Sequence, residues 1–66
     1  MFQLVVYKTI TGDFEDFNLL ETKEFNTLEE AENYADNIYE LVPVGKKFPN
    51  EYTNSSDTLG TIEKVL

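Results

Sequence analysis

The chain contains no cysteine, no histidine, no arginine and no tryptophan. Without cysteine there is no disulfide framework, no thiol nucleophile and no thiolate metal site. Without histidine there is no imidazole base, no Ser-His-Asp triad and no histidine-ligated zinc or haem. Glycine is scarce: Gly12, Gly45 and Gly60 stand apart and no Gly-Lys-Ser/Thr occurs, so there is no phosphate-cradling loop. No apolar stretch approaches the ~20 residues of a membrane span. The apolar run at residues 1–7 has no basic segment before it, and Lys8 follows at once, which does not fit a signal peptide. The expected compartment is therefore the cytoplasm, where the Asn54-Ser55-Ser56 sequon carries no weight.

What is present is acid and apolar mass. The 66 residues hold 13 Asp and Glu against 5 Lys, a net charge of −8, with 41% hydrophobic residues including four Tyr and five Phe. This composition suits one small globular domain. A chain of this size buries only about 60% of its unfolded surface, so its stability is marginal or shared with a partner.

Residues 2–10 alternate, with Phe2, Leu4, Val6 and Ile10 on one face and Gln3, Val5, Tyr7 and Thr9 on the other. Period two with β-branched and aromatic content predicts a strand. Thr11-Gly12-Asp13 supplies a turn, and a second strand is expected within residues 14–25. Its phase is split, since Phe17 and Leu19 point one way and Leu20 the other; a bulge near Leu19-Leu20 would reconcile them. Thr27-Leu28-Glu29-Glu30 matches a capping box. Leu28, Ala31, Ala35, Ile38 and Val42 then recur at helical spacing, with Tyr34 and Leu41 flanking. Pro43 and Gly45 end the pattern, predicting a helix over 28–41 with Leu28, Ala35 and Ile38 on the sheet. Residues 46–58 read as a polar loop carrying Phe48 and Tyr52. Residues 61–66 favour a closing strand over a short helix capped by Ser56 or Asp57. The fold class is α+β, roughly ββαβ, one amphipathic helix on an antiparallel-rich sheet.

The charge is uneven. Residues 13–40 hold ten acids and one base, Lys23, while the remainder is nearly balanced. At ~100° per residue, Glu29, Glu32, Asp36 and Glu40 share an arc of roughly 80° and run about 16 Å along the helix. The like-charge pairs Glu32–Asp36 and Asp36–Glu40 each cost about 0.2–0.5 kcal/mol. Glu40 also lies at the end disfavoured by the macrodipole. Carboxylates so spaced resemble a row of phosphates, whose interval is of the same order, ~3.4 Å per strand. A solvated face that confers solubility is the plain alternative.

Other chemistry fits poorly. Asp13, Glu15, Glu21 and Glu24 match four positions of a calcium loop, but Phe17 and Asn18 stand where a ligand and the turn glycine belong. A carboxylate pair for glycoside hydrolysis needs a cleft that so short a chain rarely encloses. Direct nucleic-acid binding is disfavoured because the cations it rests on are outnumbered. The expectation is a non-enzymatic protein with no cofactor and no metal.

Val5 and Tyr7 lie on the strand face that one helix leaves uncovered. That predicts a homodimer or higher oligomer, with Val5, Tyr7, Tyr34, Tyr39 and Tyr52 as candidate interface residues. The loop residues Lys46, Lys47 and Asn54 are candidates for holding a small ligand between subunits. Tiny, acidic and lacking Cys and His, the chain is similar in character to small accessory proteins of bacteriophages and mobile elements. That resemblance implies inhibition of a host or defence enzyme by binding. The leading expectation is thus an inhibitor docking Glu29, Glu32, Asp36 and Glu40 on a basic, nucleic-acid-handling protein. A ligand-sequestering oligomer and an acidic structural protein without a specific partner are the alternatives.

Overall fold

A computed structural model describes residues 1–9, 17–54 and 57–65. The proposed turn at 11–13, Ile10, two of the calcium-loop acids (Asp13 and Glu15), Ser55, Ser56 and Leu66 lie outside the described residues. The elements run β1 (Phe2–Thr9), β2 (Phe17–Phe25), α1 (Leu28–Tyr39), β3 (Val42–Gly45), β4 (Phe48–Thr53) and β5 (Thr58–Lys64). Among the described residues the strands form one five-stranded sheet in the order β2-β1-β5-β4-β3. Every pairing is antiparallel. The domain is α+β, with α1 on one face.

Alternation along β1 sets the layers. Leu4 and Val6 are fully buried beneath the helix, and Leu4 pairs with Ile62 on β5. Val5 and Tyr7 face the opposite side, which no described helix covers. The split phase of β2 is resolved by a bulge. Val6 pairs with Glu21 but Tyr7 pairs with Leu19, so Leu20 has no residue opposite it. Beyond that extra residue, Leu19 and Phe17 join Tyr7 on the uncovered face. The bulge also twists an edge strand that would otherwise offer a long template for pairing. The opposite edge, β3, is short and carries Pro43, another common edge protection.

The helix begins as its capping box requires. The Thr27 hydroxyl accepts from the Glu30 amide at 3.2 Å and donates to the Glu30 carboxylate. It ends two residues earlier than the periodicity predicts, at Tyr39. Glu40 takes a left-handed conformation (φ 57°), and its amide donates to the carbonyls of Ala35 and Asp36. The cause lies downstream: Pro43 disfavours helical geometry at Val42, which opens β3, so the chain leaves the helix at Glu40 and Leu41 links it to the sheet. Leu41 then turns inward and is buried.

Three expectations are corrected. Leu28 and Ile38 do not pack into the core; they are 41% and 57% exposed. The buried line runs through Ala31 and Ala35, whose small side chains sit directly against the sheet. Leu28 and Ile38 lie at the margins of that line, toward the ends of a helix of only 12 residues. The segment 46–58 is not a loop: it holds β4 and the start of β5. Pro49, Asn50 and Glu51 are poor strand formers, and pairing of β4 with both β3 and β5 overrides that preference. The closing strand accordingly starts at Thr58, and the topology is ββαβββ in place of ββαβ.

Candidate functional site

The acidic face of α1 is narrower than its spacing suggests. Glu29 and Asp36 are exposed and have no ion-pair partner among the described residues. Glu40 is also exposed, carried off the helical line by its left-handed backbone. Glu32 departs from the set. It sits next to the buried Ala31 line, is half-buried, and accepts a 2.9 Å hydrogen bond from the Tyr52 hydroxyl on β4. It therefore ties helix to sheet and is not a member of a free ridge. Tyr52, 4% exposed, is a core residue and not an interface residue.

A second constellation joins β2 to the helix, and the sequence pattern does not reveal it. The Glu21 carboxylate, half-buried beside the bulge, accepts hydrogen bonds from Tyr34 (2.8 and 2.9 Å) and from Tyr39. Lys23 lies 4.5 Å from the Tyr34 ring centroid and 5.8 Å from that of Phe25, within reach of cation–π attraction. The Tyr39 hydroxyl, then that of Tyr34, holds the Glu21 carboxyl below the usual carboxylate range; burial opposes this and Lys23 adds to it. Both hydroxyls are committed to Glu21, which leaves Tyr34 and Tyr39 only their half-buried rings for any partner. The bridge could be found only by knowing the β2 register, which the bulge shifts by one residue.

These tyrosines make an alkaline transition predictable. The bond to Glu21, with burial, pushes Tyr39 up to about 12. Burial first, and then the bond to Glu32, pushes Tyr52 up to about 12. Both hydroxyls titrate near 10.0 in the unfolded chain. A folded value above the unfolded one means that stability is fully present below pH ~10 and is lost as pH rises toward ~12. Urea midpoints measured from pH 9 to pH 12 should fall across that window. The fall should be reduced in Tyr39→Phe and in Tyr52→Phe; midpoints that stay level in the parent protein would contradict both assignments.

The remaining predicted residues separate. Lys46 and Lys47 form the turn between β3 and β4, whereas Asn54 lies just past the far end of β4. At ~3.3 Å per residue the six residues of β4 put about 20 Å between them. Asn54 is also engaged: its amide donates to the Tyr39 carbonyl at 3.0 Å, and its side-chain oxygen accepts from the Thr58 amide. These three residues do not form one ligand loop. Val5 and Tyr7 do come together on the uncovered sheet face. There Tyr7, Val44, Glu51, Tyr52, Leu59 and Gly60 line a shallow depression of about 110 Å³.

Among the described residues no group of three or more carboxylates is placed to hold a metal ion. No helix among them is long and apolar enough to cross a membrane. The chain matches no family model, no curated protein and no solved structure.

Proposed function

We propose that the protein is a non-enzymatic binding module, an inhibitor of the accessory type carried by phages and mobile elements. In this reading it docks the acidic face of α1 on a basic, nucleic-acid-handling protein. The observation that carries the proposal is that Glu29, Asp36 and Glu40 are exposed and have no ion-pair partner among the described residues, with no basic residue in the helix's last turn. Local stability does not account for two of them. Asp36 and Glu40 are like charges near the helix C-terminus, where the macrodipole disfavours anions. Glu40 adds a left-handed backbone that glycine would adopt without penalty.

The double variant Asp36→Asn/Glu40→Gly separates stability from recognition. Its thermal midpoint should rise, because the change removes the dipole conflict and the left-handed penalty, together worth about 1 kcal/mol. Tagged parent protein should retain a basic protein from a lysate of the native host cell, identified by mass spectrometry. Retention should weaken steeply between 0.1 and 1 M salt, as the Debye length falls from ~10 to ~3 Å. The double variant should retain much less of that protein. Equal retention of the same partner by parent and variant at low salt would sink the proposal and leave α1 with a solvated face.

A further inference from the structure

The face of the sheet opposite α1 has an apolar centre and an acidic rim. Register places Val5, Tyr7 and Leu59 side by side at its middle, with Leu19 opposite Tyr7. Phe17 packs its ring on Tyr7, with centroids 5.0 Å apart, yet Phe17 and Leu19 are still 54% and 63% exposed. A patch this apolar on a small protein marks a surface that meets another molecule.

Among the described residues, the charged side chains that strand register places on this face are all acidic. Glu24 and Glu63 flank Gln3, and Glu51 stands opposite Thr61, so all three project from the uncovered side. The described lysines lie elsewhere. Lys23 and Lys64 pair with Leu4 and Phe2 on the helix side, Lys8 alternates to that side, and Lys46 and Lys47 occupy a turn. A second copy stacked on this face would set one acidic rim against another and bury like charge. The complement of an apolar centre with an anionic rim is an apolar stripe flanked by cations.

We propose that the open sheet face binds a cationic amphipathic helix of a partner protein, forming a second helical layer across the sheet from α1. The depression fixes the register of that helix. An arginine or lysine stem fits between Tyr7, Val44 and Leu59, and its charged head reaches the Glu51 carboxylate at the wall. The Tyr7 ring adds cation–π attraction. This surface is on the other side of the sheet from Glu29, Asp36 and Glu40, and the inference does not rest on what those residues do.

The test uses the full chain and a synthetic helical peptide with leucines along one face and arginines along the other. Amide NMR shifts on titration should change at Val5, Tyr7, Leu59 and Thr61 and stay fixed along α1. Glu51→Lys should weaken binding about tenfold, since it turns an attraction into a repulsion at a partly desolvated site. Glu51 is exposed, so the fold should tolerate the change; Glu30→Gln, at an exposed position of α1 where glutamine still serves the capping box, should leave the affinity unchanged. Three results would each overturn the proposal. One is shift changes centred on α1. Another is equal affinity for a peptide of the same composition shuffled to remove its apolar stripe. The third is concentration-dependent shifts at Val5 and Leu59 without peptide, which would make the occupant a second copy of the chain.

Discussion

Leu4→Ala is expected to cost about 2–5 kcal/mol and to unfold the domain, while Ile38→Ala leaves it folded. Both residues are large, aliphatic and on recognisable apolar stripes, so periodicity alone assigns them equal weight. Leu4 is fully buried at the centre of the sheet, paired with Lys23 on one side and Ile62 on the other, and helix and sheet close over it. Its truncation leaves a cavity that rigid neighbours cannot fill. A domain of this length has roughly 3–10 kcal/mol of total stability, so the loss takes most of it. Ile38 is 57% exposed near the last turn of α1, and truncating it removes little buried surface; surface changes of this kind stay within about ±0.5 kcal/mol. Urea denaturation followed by circular dichroism distinguishes the two. Equal costs would mean that α1 docks through its large residues and not through Ala31 and Ala35.

That contrast shows where the sequence was legible. Strict alternation in β1 and the capping box at Thr27 are local patterns, and both appear as read. The bulge could be anticipated from the conflicting phases of Leu19 and Leu20, although only pairing with β1 assigns the extra residue to Leu20. Strand β4 was hidden because its composition opposes its conformation. Phe48, Asn50 and Glu51 are exposed, Tyr52 alone is buried, and two neighbouring strands hold the segment extended. The candidate site followed the same rule. Helical spacing groups Glu32 with Glu29, Asp36 and Glu40, but a tyrosine twenty residues away in the chain takes Glu32 out of the set. Glu21 matches one position of a calcium loop by spacing and lies two residues from Lys23, but two helix tyrosines claim it first. In each case the deciding partner is distant in sequence, where periodicity carries no information.

Gly60→Ala is the second large effect expected, and its sign is diagnostic. Gly60 lies in the middle of β5, paired with Val6 and Tyr52. Its backbone lies outside the left-handed region, so alanine fits the conformation and should by itself stabilise by about 0.4–1 kcal/mol through the unfolded chain. The obstacle is packing. A methyl group at position 60 would meet the Leu41 Cδ1 at 2.9 Å, with the Val5 carbonyl oxygen at 3.6 Å and the Leu4 Cδ1 at 3.7 Å. A side-chain terminus can usually swing away, but Leu41 is only 2% exposed. Its backbone is also confined between the left-handed Glu40 and the Val42-Pro43 step into β3. Overpacking of this kind costs typically 1–3 kcal/mol, which exceeds the entropic gain and makes the variant destabilised. The cost should be smaller when Gly60→Ala is introduced together with Leu41→Val, which shortens the obstructing side chain. A double-mutant cycle on urea midpoints should give a coupling of at least ~0.5 kcal/mol. A stabilised Gly60→Ala variant would show that Leu41 can leave the sheet freely, and the path from α1 into β3 would not be pinned at Gly60.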